Sequence, residues 1–354
     1  MTNPLSEEEA LFARGGAATT KMGSSDDNAT VTAMCYSAQI QADYRKFVRE
    51  FGAGVSFEHF VELFWQTRRD GGWSKLPKAM RAAFLAPIDE KERAVADLVA
   101  AGDKEQATAL ETELFQQKTR LTTAERALVV KPTKKAENDQ RIATDKIARA
   151  QRSLADLQRT DLLDRDSRIF PGHYAPVMVM QDGQRVVIPM RYQCRLPGWT
   201  PAIERQKNGS YNARRDNLKK AWRQLYGYRH GIMIVNAFYE NVARHRLEQR
   251  ELAPGEQEEN VVLEFRPKPQ QHMLVACLWS ISKGEEGEAD LYSFAAITDE
   301  PPAEVSAAGH DRCIVPVKPE HVDAWLNPDP KDLAALDAIL DDRDQPYYEH
   351  RLAA

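Results

Sequence analysis

The sequence predicts an α+β protein: a single domain with an antiparallel sheet or partly closed β-barrel and surrounding helices, interrupted by an inserted antiparallel helical hairpin. Three observations carry this. Apolar residues recur at helical spacing before residue 85, a heptad-patterned stretch fills 85–165, and β-branched, aromatic segments bounded by turn residues dominate beyond 166.

Residues 1–34 hold little to bury. Gly, Ala, Ser, Thr and Asp crowd ARGGAATTKMGSSDDNATVTA, and the stretch reads as a disordered leader. It begins acidic and without an apolar h-region, so it does not read as a secretory signal. Folded sequence is expected from Met34-Cys35 onward. Residues 36–84 read as helical, with Phe57, Phe60 and Phe64 on one core-facing stripe.

Residues 85–165 contain no Trp, Tyr, His or Cys and carry 15 acidic and 15 basic side chains. Leu110, Leu114, Leu121, Ala124 and Leu128 follow a 4,3 spacing with polar Gln117 filling the gap, and Ala143, Ile147, Ala150, Leu154 and Leu157 repeat it. Pro132 in VVKPTKK interrupts the helix between the two runs. Two patterned helices joined so briefly make an antiparallel hairpin. Mixed-sign faces read as a solvated arm inserted between 35–84 and 166–354, the alternative being an arm that recruits a protein partner.

Beyond 166, VMVMQDGQRVVIPMRY, GIMIVNAFYE, HMLVACLWSI and LYSFAAIT read as strands, the first divided by a hairpin turn at Asp182-Gly183. Helices are expected near 214–226 and 331–340.

Composition narrows the function classes. Among 354 residues, 48 Lys+Arg stand against 53 Asp+Glu, a net charge of -5 that argues against coating nucleic acid by bulk charge while leaving a local basic groove open. No apolar run approaches the ~20 residues of a membrane span. Cys35, Cys194, Cys277 and Cys313 lie far apart with no CxxC pair, so neither a zinc site nor a disulfide framework is expected, and a reducing cytoplasm is the default. No metal or other cofactor is implied. The absence of GxGxxG, GxxxxGK[ST], HExxH and GxSxG removes the commonest dinucleotide, nucleotide, zincin and hydrolase readings.

Four short segments place reactive side chains among turn residues: MCYSAQ at 34–39, NARRD at 212–216, FYE at 238–240 and HDR at 310–312. Singly each is ordinary, since a cysteine is most often a small hydrophobe and a strand-end glutamate is most often solvated. Together and in this order they resemble the SRAP (SOS response-associated peptidase) family of abasic-site processing proteins. PMRYQCRLPGW at 189–199, TDEPP at 298–302 and WLNP at 325–328 add weaker likeness. The resemblance covers 34–84 and about 168–330, leaving out the leader and the hairpin.

The resemblance implies a chemistry. An N-terminal cysteine offers an α-amine with a pKa near ~8 beside a thiol near ~8.5. The ring-opened sugar of an abasic site exposes an aldehyde, with which the amine forms a Schiff base that the thiol closes to a thiazolidine. Carried over residue by residue, Cys35 is the nucleophile, Glu240 the acid/base for ring opening, His310 an aid to proton transfer, and Asn212 a holder of the amine or sugar. Arg214 and Arg312 would hold DNA phosphates, and Trp199 is a candidate base-stacking surface. The implied partner is single-stranded DNA containing abasic sites. A monomer is expected, cytoplasmic and nucleoid-associated when acting on DNA.

The sequence departs from the family where Tyr36-Ser37-Ala38 replaces the usual Gly-Arg-Phe after the cysteine, so a phosphate contact there has to come from elsewhere. With a leader attached, the Cys35 nitrogen is an amide and cannot form a Schiff base. Translation from Met34 with methionine excision, self-cleavage of the leader, or a retained leader and no crosslinking are the three readings, and the adjacency of Met34 favours the first. Two rivals to the crosslinking reading are a cysteine peptidase acting on separate proteins, with Cys35 as nucleophile and His310 as base, and a non-catalytic scaffold that uses the hairpin.

Overall fold

A computed structural model describes residues 37–207, 210–284 and 288–353. The expected leader and Cys35 therefore lie outside the described residues. β1 (Ser37–Ile40) comes first, followed by α1 (Tyr44–Phe51), β2 (Gly54–Val55), α2 (Phe57–Arg69) and α3 (Lys78–Ala82). The hairpin is α4 (Glu90–Val130) and α5 (Lys134–Gln158). Next come β3 (Arg168–Ile169), β4 (Tyr174–Gln181), β5 (Gln184–Tyr192), α6 (Pro201–Gln206), β6 (Asn212–Arg214), β7 (His230–Ala243) and α7 (Arg244–Leu247). The chain continues through β8 (Asn260–Lys268), β9 (Met273–Ser282), β10 (Leu291–Asp299), α8 (Ala303–Ala307) and β11 (Cys313–Ile314). It closes with α9 (Val322–Leu326), α10 (Leu333–Asp341) and β12 (Tyr347–Leu352).

The β4–β5 turn has φ of 50° at Asp182 and 75° at Gly183, two positive values in succession, as the expected two-residue hairpin requires. From there the sheet closes on itself. β5 pairs with β4, β4 with β7, β7 with β9, β9 with β10, and β10 returns to β5 in parallel. The α+β class and the partly closed barrel are thus as the sequence predicts. The sheet is mixed, however: β2–β5, β10–β5 and β10–β6 are parallel pairs.

β7 is the hinge of the architecture. Its first half, His230–Val235, lies in the ring against β9, and its second half pairs on one edge with β1 and on the other with β8, which in turn carries β12. One strand therefore delivers the Phe238-Tyr239-Glu240 segment from the closed ring into a second set of strands.

Helices α1–α3 cover the ring with a run of aromatics. The Tyr44 and Phe84 rings stack at 4.7 Å, Phe60 lies 5.2 Å from Phe84, and Phe60 and Phe64 are fully buried, as their spacing predicts. The reading of 36–84 as helical misses β1 and β2. Neither carries a local strand signal; β1 is a strand because β3 and β7 flank it on both edges. The stretch 214–226 is not an α-helix either. After β6 it continues as a 3₁₀ turn over Arg215–Asn217 and then a string of turns, whose hydrogen bonds reach back three, four and five residues. The buried side chains of Leu218, Trp222, Leu225 and Tyr226 hold this irregular path in place of a regular backbone ladder.

The two arm helices meet along the seam read from the sequence. Gln117, Ala124, Ala143 and Ala150 are buried between them, and the pairs Arg120–Asp139 at 2.5 Å and Lys146–Glu113 at 3.4 Å set the antiparallel register. Thr133 caps α5 just past Pro132. The foot of α4 is fastened to the body. Glu92 accepts from Tyr44 and, at 2.6 Å, from Arg45; Asp103 accepts from Trp73 at 2.8 Å and pairs with Arg81. A Cβ at Gly102 would come within 2.4 Å of the Trp73 ring, so only glycine lets the helix lie this close.

Candidate functional site

Glu240 sits on the second half of β7, opposite Leu263 of β8, and is fully buried. Facing it is His310, on the loop between α8 and β11. Gly309 shapes that loop: its φ is +94°, and a Cβ there would meet Val242 at 3.0 Å and Arg246 at 3.1 Å. The loop thereby packs directly on the strand that carries Glu240. His310 Nε2 lies 3.0 Å from Glu240 Oε2, with neither side chain exposed to solvent. On the far side of the ring, Nδ1 lies 2.8 Å from the Arg312 carbonyl, to which a protonated Nδ1 donates, and 3.3 Å from the Arg312 backbone nitrogen.

Burial disfavours a charged imidazole, but the Glu240 carboxylate and the Arg312 carbonyl more than offset it, and the His310 pKa is raised above 6.5. Next to the pair, burial and then the Glu240 charge push the Cys313 thiol upward, so this cysteine is held as a neutral thiol. A carboxylate and an imidazole at this distance can hold one proton between them and pass it to a third group.

The strand register brings the start of the described chain to this place. Gln39, Ala38 and Ser37 pair with Ala237, Phe238 and Tyr239, so following β1 backward leads along β7 toward Glu240. Arg168 of β3 fastens that corner: its Nε donates to Ser37 Oγ at 3.0 Å and its guanidinium lies 3.8 Å from the centre of the Tyr239 ring. No local pattern in the sequence marks Arg168, because its partners are 131 and 71 residues away.

Asn212 is buried on β6, where its Oδ1 accepts from the Tyr192 hydroxyl at 3.2 Å. β10 links it to the pair. Asn212 lies beside Ala296, and three residues along the same strand Asp299 pairs with Cys313, the thiol next to Glu240. Arg214 is half-exposed and donates to Asp216 at 2.9 Å. Arg312 is mostly buried, 3.8 Å from Asp311, and only 11 % of its side chain reaches solvent. Trp199 stands elsewhere, lining a cavity of about 600 Å³ with Arg191, Arg195 and Lys283. Both arginines there pair with buried Glu204. The structure therefore joins Glu240 with His310, links Asn212 to them through one strand, and gives Trp199 a separate setting.

Among the described residues no group of His, Cys, Asp and Glu could hold a metal ion, and no helix is long and apolar enough to cross a membrane.

A family model described as SOS response associated peptidase (SRAP) matches residues 133–352. Among solved structures, a protein from Bordetella bronchiseptica is 18% identical with a TM-score of 0.42, covering 53% of this chain and 87% of its own. A protein from Bacteroides thetaiotaomicron is 14% identical with a TM-score of 0.40, covering 55% and 80% respectively. A phage-related protein from Bordetella bronchiseptica is 17% identical with a TM-score of 0.40, covering 56% and 85%. No curated protein matches the chain.

Proposed function

From the premise that the chain belongs to the SOS response associated peptidase family, we propose that it captures abasic sites in single-stranded DNA as a covalent crosslink through Cys35. The family name ties the chain to the DNA-damage response; the crosslinking chemistry is our reading. The observation that carries it is the buried Glu240–His310 pair, 3.0 Å apart at the place toward which β1 runs.

Ser37, two residues after Cys35 in the sequence, pairs with Tyr239, the neighbour of Glu240. The proposed reaction balances without an oxidant. The Cys35 amine adds to the sugar aldehyde, the carbonyl oxygen leaves as water, and the Schiff base forms. The Cys35 sulfur then bonds to the same carbon, its proton passing to nitrogen, and the thiazolidine closes. Glu240 takes and returns the protons of ring opening and dehydration, and His310 holds the proton that Glu240 gives up. The buried Asn212 amide orients the amine, and Arg214 and Arg312 flank the lesion as phosphate contacts.

The requirement for a free amine means that residues 1–34 are either untranslated or removed. Protein beginning at Cys35, mixed with single-stranded DNA bearing one abasic site, is expected to give an adduct that survives denaturant. Cys35→Ala should abolish it and Glu240→Gln should slow it by about 10²-fold. No adduct from the intact protein with a free N-terminus sinks the reading. Cleavage of unrelated peptides by protein with a blocked N-terminus supports a peptidase instead.

A further inference from the structure

The arm is charge-balanced as a whole, yet its charge is sorted along its length. Between residues 89 and 113, eight Asp and Glu stand against three Lys and Arg; between 118 and 141, seven Lys and Arg stand against three Asp and Glu. The acidic foot is used, since Glu92, Asp103 and Glu105 fasten α4 to Arg45, Arg81 and Arg68. The basic tip is not. Among the described residues Lys118, Arg126, Lys131, Lys134 and Lys135 are all exposed and none joins an ion pair within 4.0 Å, the distance at which the arginines of the body find carboxylates.

Helix physics gives no local reason for this arrangement. Lys134 and Lys135 occupy the first turn of α5, where the helix dipole favours acidic side chains, and Glu137 is the one acid there. They oppose the helix dipole where they stand, a cost that a bound anion would offset. The tip is also held away from the body. Beyond Glu105 the ion pairs of α4 are with α5, and the 26 residues from Glu105 to Val130 extend about 37 Å at 1.5 Å of rise per residue.

We infer that the tip of the α4–α5 arm, built on Lys131, Lys134 and Lys135, binds the sugar–phosphate backbone of DNA at a distance from the Glu240–His310 site. The identity of the polyanion rests on the proposed function. The surface and its charge do not. Lysines on exposed, mobile stems suit sequence-independent phosphate contact. A reach of about 37 Å corresponds to roughly eleven phosphates at the 3.4 Å spacing of a duplex strand. The net charge of -5 is no obstacle, because the acidic foot and the basic tip lie at opposite ends of the arm.

The test is fluorescence anisotropy of the full chain with undamaged single-stranded DNA of 10 and 40 nucleotides, across a salt series. Wild type should bind the 40-mer more tightly. The triple variant Lys131→Ala/Lys134→Ala/Lys135→Ala should lose roughly tenfold at 0.1 M salt, with the log–log salt slope smaller by about 2. The corresponding triple Arg variant should keep both. Unchanged 40-mer binding and slope in the Ala variant overturn the inference. So does a larger loss from Val129→Ser/Val130→Ser, which removes the exposed apolar pair and points to a protein partner. Crosslinking of an abasic 10-mer by protein beginning at Cys35 is read in parallel: its failure sinks the proposed function and leaves the tip binding as measured.

Discussion

Glu240 Oε2 and His310 Nε2 lie 3.0 Å apart with both side chains wholly removed from solvent, although 70 residues of sequence separate them. The two partners of such a pair are not equivalent. An imidazole can shed its charge near neutral pH and stay buried as a neutral ring once its partner is gone.

His310→Ala should therefore destabilise more than Glu240→Gln. The first leaves a buried carboxylate without its imidazole, a loss of about 3–5 kcal/mol. The second lets the ring go neutral, at about 1–2 kcal/mol. Urea denaturation at pH 7 distinguishes them, and equal losses would count against a charged pair.

The raised pKa of His310 fixes a direction for pH dependence. Its folded value lies above 6.5, so the stabilisation from its charged form is complete below pH 6.5 and is lost as pH rises through the folded value. The urea midpoint of wild type should fall over that interval more than that of His310→Gln. Parallel curves for the two proteins would show that His310 does not titrate with folding.

Gly102→Ala tests the fastening of the arm. The added methyl would meet the Trp73 ring at 2.4 Å, and the helix or the indole has to shift. A loss of about 1–3 kcal/mol is expected, despite the higher helix propensity of alanine. A neutral or stabilising effect would mean that the foot of α4 is not packed as described.

Arg214 and Arg312 should separate stability from DNA binding. Among the described residues Arg214 pairs only with exposed Asp216, so Arg214→Ala should leave the melting temperature unchanged while lowering the salt slope of single-stranded DNA binding by about 0.7. Arg312 is mostly buried, and Arg312→Ala should lower the melting temperature as well. The reverse pattern would exchange their roles.

Legibility in the sequence followed the range of the interactions. The arm could be read because its seam is written in local spacing, down to the polar Gln117 that the structure buries at the predicted gap. The Asp182-Gly183 turn and the flanking strands were equally local. β1 could not be read, since Ser37–Ile40 has no strand pattern and is held by partners at Arg168 and near residue 238. The segment after Arg214 looked helical in spacing and took another path, because its buried side chains outweighed its backbone preference.

By itself the sequence determined the α+β class, the arm with its break at Pro132, and the reactive residue types in their order, all properties set by neighbours within a few turns or by residue chemistry. Tertiary structure alone decided that β7 leaves the ring beside β1, that the Gly309 loop brings His310 to Glu240, and that Trp199 lines a cavity with Arg191, Arg195 and Lys283. Those outcomes depend on strand pairing and close packing between residues far apart in the chain, and no local spacing encodes which distant partner will meet which.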